Sequence, residues 1–365
     1  MGTGRAISGS NSLSDPTYRG CTACIEVKLG KLSENDIVQV AVYARELIIQ
    51  QHNRRFAYGL LLSATHACLV QYDRAGLMYS AKIRVHQTPT TLIRFILGLA
   101  SLDERALGFD DNIYWGPDGN RRLDVNINGV VESLPALQEA PLFFRMSIRG
   151  RGTIAWSVDY RGSRALVKYA WRAVDRKPEL EFLECVKKAG LKGVGQLIFG
   201  GEAELISENR WGKERRMRHH HSQPGTKPKT EVPVWISDRR YCYLVMKHWG
   251  RCLDHFTTKL ELLTAFRDAI AGHRALLEIG ILHRDVSLRN ILLGDPNDVG
   301  NRGILIDLDL ALEVGRASSN AATDFRTGTR AFQSLRILSG GGHHNYFDDL
   351  ESFFYVLCWI YFCYE

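Results

Sequence analysis

Asp285 and Asn290 stand five residues apart in His283-Arg284-Asp285-Val286-Ser287-Leu288-Arg289-Asn290, and Asp307 closes the apolar run Ile304-Leu305-Ile306. An aspartate so placed can accept the proton of an attacking hydroxyl. An asparagine and a second aspartate supply hard oxygen ligands for magnesium, which keeps water and phosphate oxygens in its remaining positions. The chemistry that uses this set is phosphoryl transfer, with Asp285 as base and Asn290 and Asp307 on the metal. The competing reading is a loop of solvated charge. Four fixed residue types at set spacing arise by chance in well under ~1% of chains of this length, which favours the chemical reading.

Residues upstream support it by their order. Phe143 to Ile148 alternates as a strand, and Gly150-Arg151-Gly152-Thr153-Ile154-Ala155 follows. Gly150 and Gly152 would let the backbone close over nucleotide phosphates where a side chain would collide, with Ala155 in the place of a third glycine. The apolar strand Ala165-Leu166-Val167 then ends in Lys168, a cation able to reach phosphates. In the helical stretch Pro178 to Ala189, Glu181 is the expected partner that orients this ammonium, and Glu184 is the alternative. Each residue alone is an ordinary surface charge; the sequence order gives them weight.

With these residues in view, the chain resembles the protein kinase fold and, within it, the fungal-type protein kinase family. Asp307-Leu308-Asp309-Leu310-Ala311 resembles a metal-binding Asp-Phe-Gly segment with Asp309 in the glycine's place. Thr327-Gly328-Thr329-Arg330-Ala331-Phe332 is similar to the end of an activation segment, and the stretch around Asp349 to the start of a buried large-lobe helix. The resemblance covers roughly residues 21 to 365. It implies ATP and magnesium as cofactors and transfer to a protein hydroxyl. It also implies that Thr329 contacts the catalytic aspartate, as in serine/threonine kinases, and that Arg284 could pair with a phosphate on Thr323 or Thr327.

Three departures stand against it. Ser287 replaces a lysine that steadies the γ-phosphate, and losing one such stabiliser commonly costs on the order of 10²–10³ in rate. Arg336 sits where a glutamate would anchor the activation segment by an ion pair. The third is the run from Phe353 to Tyr364, apolar or aromatic throughout. Twelve helical residues cover only ~18 Å against a ~30 Å hydrocarbon core, so this is an interior helix rather than a membrane span. The expected fold is α+β and two-lobed, with a large lobe that reads as truncated. The alternatives to a protein kinase are a pseudokinase scaffold without turnover and a small-molecule phosphotransferase.

The 365 residues suffice for two or three cores, with 45% hydrophobic content and no N-terminal apolar signal. Eight scattered cysteines read as reduced thiols and an intracellular protein, and Cys21-Thr22-Ala23-Cys24 is a lone CxxC. The net charge of +7 is local. Residues 210–229 hold seven Lys or Arg against one Glu, a net +6, in an aperiodic stretch that includes His219-His220-His221. This basic insertion at 207–231 reads as a disordered loop, more simply a solvated linker than a nucleic-acid contact.

Residues 1–20 are expected to be a disordered tail. Residues 21–110 read as a small α+β module: a strand Cys24 to Lys28, a helix capped by Ser33 with Asp36, strands at 56–63, 67–72 and 77–85, and a helix at 90–100. Glu26 and Lys28 form an E-x-K pair as in metal-dependent nucleases, with Asp15 the nearest acidic partner, though a solvated face is the commoner explanation of such a pair. Residues 111–140 read as a linker, 141–250 as the small lobe with hinge Lys247-His248-Trp249, and 251–365 as the large lobe. Within it, a helix at 258–280 leads into the catalytic loop, and strands 291–293 and 304–306 bracket a turn.

Overall fold

The computed structural model describes residues 18–211, 238–315 and 328–363. Asp15, the histidine triplet, most of the basic insertion, Thr323 and Thr327 lie outside the described residues. So does the expected disordered tail, except Tyr18–Gly20 in a 3-10 turn. The chain divides into two compact units, one running to Asp175 and including Gly200–Leu244, the other made of Arg176–Phe199 and Val245 onward. These boundaries differ from the expected ones. Residues 21–110 are not a unit by themselves, and the helix at 179–189 belongs with the second unit.

In the first unit, strand β1 (Ala23–Lys28) leads into helix α1 (Glu34–Gln50). Ser33 starts that helix by donating its N–H and hydroxyl to Asp36 Oδ2, each at 2.7 Å. Ile37, Val40, Ala44, Leu47 and Ile48 recur at helical spacing and are buried, packing on β2 (Phe56–Ser63) and β3 (His66–Asp73). Gly59 makes the close approach possible, because a Cβ there would lie 2.2 Å from Val40 Cγ1. Since α1 is a crossover, β1 pairs parallel to β2, while β2, β3 and β4 (Gly76–Tyr79) pair antiparallel. The strand expected at 77–85 breaks into β4 and β5 (Ile83–Arg84), and helix α2 (Pro89–Leu99) follows.

The expected linker at 111–140 is instead a three-stranded antiparallel sheet, β6 (Ile113–Trp115), β7 (Arg121–Ile127) and β8 (Val130–Pro135). Leu123, Val125 and Leu134 are buried in it. A further sheet runs in the order β12 (Leu197–Leu205), β13 (Arg239–Lys247), β11 (Ser163–Ala173), β10 (Ile154–Tyr160), β9 (Phe143–Phe144). Only the first two residues of the strand expected at 143–148 are β. The hairpin closes with Arg145 N–H on Thr153 O at 2.9 Å, and the chain then leaves the sheet as a loop.

The second unit holds α3 (Glu179–Ala189), ended by Gly190 at φ 62°, and α5 (Lys259–Glu278), capped by Thr258. The short α4 (Ile206–Trp211) precedes the insertion in the first unit. Strands β14 (Ile281–Leu282) and β17 (Leu312–Glu313) pair with each other, as do β15 (Ile291–Leu293) and β16 (Gly303–Leu305). Helices α6 (Leu335–Leu338) and α7 (Tyr346–Cys363) complete it. The apolar run expected inside the protein buries one face of α7, through Phe353, Val356 and Ile360. Phe354, Trp359, Tyr361 and Phe362 on the other face are exposed. Among the described residues no helix is long and apolar enough to cross a membrane.

Candidate catalytic site

The loop expected to be catalytic, His283 to Asn290, begins at the end of β14 and is fixed by a buried carboxylate. Asp349, fully buried near the start of α7, accepts the main-chain N–H of His283 at 3.2 Å and of Arg284 at 3.1 Å. His273 from α5 and His344 meet the same carboxylate at 2.8 and 2.9 Å. Burial alone would raise the Asp349 pKa. The hydrogen bonds and charges of the two histidines outweigh it and hold the carboxyl well below the usual range. Arg284 is thereby kept at φ 69°, a left-handed conformation that costs a non-glycine residue roughly 1–2 kcal/mol.

His283 orients the residues just after it in the loop. Asp285 N–H donates to His283 Nδ1 at 3.2 Å, so Nδ1 is the acceptor and Nε2 carries the proton it gives to Ile306 O at 3.0 Å. Burial lowers the pKa of this ring, which fits the neutral form those bonds require. Asp285 Oδ1 receives both the N–H and the hydroxyl of Thr329, at 2.7 and 2.9 Å. Burial and the nearby Asp307 carboxylate raise the Asp285 pKa, and Thr329 offsets part of that rise. Asn290 donates its amide nitrogen to Asp285 O at 2.8 Å, so its oxygen is the end that remains for a cation.

Asp307 follows β16 at φ 70°, a second left-handed non-glycine residue. Glu179, Asp307 and Asp309 each bring a carboxylate oxygen within 4.8 Å of one another. Asp309, expected only to stand in a glycine's place, thus joins the acidic cluster. On α3 the buried carboxylate is a different one from the expected Glu181. Glu179 is buried and accepts Leu308 N–H at 3.1 Å, whereas Glu181 is exposed and pairs with Lys177 at 3.6 Å. Glu184 is exposed as well. The apolar stripe Phe182, Leu183 and Val186 projects back one turn to position 179, and that signal was in the sequence. The three carboxylates are hard oxygen donors, which suit magnesium better than a soft metal.

The chain matches the family of fungal protein kinases over residues 8–361, nearly its whole length. It belongs to that family. A comparison with curated proteins gives no match.

In this fungal protein kinase the first unit carries the other residues expected at the nucleotide. Lys168 lies buried on β11, directly across from Ala155 on β10. Gly150 and Gly152 take φ 124° and 52° in the loop between β9 and β10. The reason expected for Gly152 changes: it is buried against Arg74, and a Cβ there would lie 2.4 Å from Arg74 Nε. Lys168 and the loop belong to the first unit, the acidic cluster and Asp285 to the second.

The departures also find their places. Ser287 is buried, 3% exposed, and brings no charge of its own to the loop. Arg336, expected to leave a segment without its anchoring ion pair, has an acidic partner. Its guanidinium grips Asp348 on α7, with Nε on Oδ1 at 3.1 Å, and Ser334 donates to the same oxygen at 2.6 Å. The anchoring charge is reversed and its partner is local. At the expected hinge, Lys247 Nζ lies 4.1 Å over the Trp249 ring.

The nuclease-like pair resolves into surface chemistry. Lys28 bonds Glu26 at 2.9 Å and lies 3.5 Å from Asp36, and Gln39 bridges them on a solvent-facing edge. No disulfide joins any of the eight cysteines.

Proposed function

We propose that this fungal protein kinase transfers the γ-phosphoryl group of magnesium ATP to serine or threonine hydroxyls of a protein substrate, inside the cell. The observation that carries the reading is the paired bond from Thr329 to Asp285 Oδ1, beside the Asp307 carboxylate. Thr329 fixes one oxygen of Asp285, which orients the other to take the proton of an incoming hydroxyl. Raised basicity from burial suits that role, because a more basic carboxylate is a better proton acceptor.

Asn290 and Asp307 would hold the magnesium, which supplies charge neutralisation at the phosphates. Lys168 would meet the phosphates and Gly150 would let the backbone approach them. The test is transfer of labelled γ-phosphate to a generic protein substrate, followed by identification of the labelled amino acid. Label on serine and threonine, lost in Asp285→Asn, is the expected result. Equal labelling by wild type and variant would remove Asp285 as base, and label on tyrosine would remove the substrate class.

A second reading is favoured by Ser287, an uncharged buried side chain where a phosphate-steadying cation is expected. Under it the protein binds magnesium ATP without turnover. A nucleotide-dependent rise in melting temperature with no labelling would select this reading.

A further inference from the structure

The glycine loop is seated on the N-terminal part of the chain by a single buried arginine. Arg74, in the turn between β3 and β4, is 2% exposed and donates Nη1 to Ser147 O at 2.6 Å and to Ile148 O at 3.3 Å. In return, its carbonyl accepts Gly150 N–H at 2.9 Å. Gly152 packs flat against the guanidinium, as only a residue without Cβ can. Ile148 completes the seat by packing with Phe144 on the apolar cluster of α1, β2 and β3. On the far side, Trp171 N–H holds Arg151 O at 2.7 Å, three residues beyond Lys168 on β11.

The turn that carries Arg74 is itself rigid. Asp73 Oδ1 accepts Ala75 N–H at 2.9 Å and Gly76 N–H at 3.2 Å, and both Asp73 oxygens take Arg210 at 2.6 Å. Burial lowers the Arg74 pKa to about 10, with Tyr241 and Asp73 partly restoring it, so the group stays charged at neutral pH. Its Nη1 bonds go to loop carbonyls, and Nε has no hydrogen-bond partner among the described residues. A buried cation with such partners is costly unless they need it.

We propose that Arg74 is a positioning residue for nucleotide binding: it holds the backbone of residues 147–152 ordered before the phosphates arrive. The inference rests on the reading of this loop as the one that covers the nucleotide. The physical reason is entropic. Fixing a free backbone residue costs conformational entropy, and an already ordered loop avoids that loss at binding. The β3–β4 turn thus serves the loop from within the same unit.

The test uses the full chain and the variants Arg74→Met, which keeps volume and removes charge, and Arg74→Lys, which keeps charge and removes the planar fork. Arg74→Met is expected to raise KM for magnesium ATP roughly tenfold, the equivalent of one lost charged hydrogen bond, with kcat within about twofold. Arg74→Lys is expected to recover part of that loss. Amide hydrogen exchange should accelerate across 147–152 and stay slow across 154–160. Unchanged KM with kcat falling in step with the folded fraction would make Arg74 a stability residue only and overturn the proposal, as would unchanged exchange in the loop.

Should Arg74→Met fail to fold, Ile148→Ala removes the apolar seat without stranding a charge. It is expected to raise KM in the same direction by a smaller factor, and an unaltered KM would overturn the proposal. Wild-type protein that neither transfers phosphate nor melts higher with magnesium ATP would bring down the proposed function, and the positioning role with it. Turnover by wild type with silent Arg74 variants would bring down the positioning role alone.

Discussion

The catalytic loop and the glycine loop are each held from below by one buried charged side chain, and the two charges are opposite. Asp349 is an acceptor, so it fixes main-chain N–H groups, those of His283 and Arg284. Arg74 is a donor, so it fixes main-chain carbonyls, those of Ser147 and Ile148. The satisfaction of the two anchors differs as well. Asp349 has two histidine partners besides the loop, whereas Arg74 carries an Nε with no hydrogen-bond partner among the described residues. The comparison teaches that a fully satisfied buried charge makes a rigid frame, suited to a loop whose groups must hold angles. Arg74 holds its loop through fewer bonds, which still suffice for the ordering proposed above.

Breaking the framed loop at its reactive end should have the largest effect. Asp285→Asn removes the proposed base and is expected to lower kcat by about 10²–10⁴ without moving the melting temperature much, as read by labelled transfer and calorimetry. Removing the frame comes next. Asp349→Ala leaves two histidines and two N–H groups without their acceptor and is expected to cost about 3–5 kcal/mol in urea unfolding. A loss under about 1 kcal/mol would mean that the catalytic loop does not depend on this carboxylate.

The same anchor gives a pH signature. A carboxyl whose folded pKa is depressed contributes stability that is present above its unfolded value near ~4 and is lost as the pH falls through the folded value. The urea midpoint of the wild type is therefore expected to drop more steeply than that of Asp349→Asn from about pH 5 to about pH 3. Parallel profiles would remove Asp349 as the source. Thr329→Val deletes the hydroxyl bond to Asp285 and keeps the N–H bond, so a kcat loss of about tenfold is expected. The smallest effect sharpens the assignment on α3. Glu181→Gln should change stability by no more than about 0.5 kcal/mol and leave KM for ATP alone, while Glu179→Gln should raise it. Equal responses would return Glu181 to consideration.

Some of this architecture was legible in the chain, and the errors have physical causes. The capping pair Ser33 and Asp36 and the apolar spacing of α1 announced that helix, because both signals are local. The sheet at 113–135 went unread although its alternation in Arg121–Ile127 and the Asn128-Gly129 turn were present. Those residues take φ 51° and 90°, the left-handed pair that closes a tight hairpin. Polar composition masked the period of two. The sequence offers Glu181 and Glu184 and leaves Glu179 out, because glutamates two residues apart look alike in sequence. On a helix they are separated by about 200°, so only one can face inward.

Residue type and order alone pointed to the family and to the proposed parts: Asp285 as base, Asn290 and Asp307 as oxygen ligands, Lys168 and the glycines at the phosphates. Tertiary structure alone decided which carboxylate on α3 turns inward, that Asp309 joins the acidic cluster, and that Arg336 finds its counter-ion in Asp348. It alone brought Arg74 beneath a loop more than seventy residues away in the chain. The reason is that a side chain's chemistry is carried by its own atoms, whereas its partner is set by whichever distant backbone the packing of the cores brings within hydrogen-bond reach.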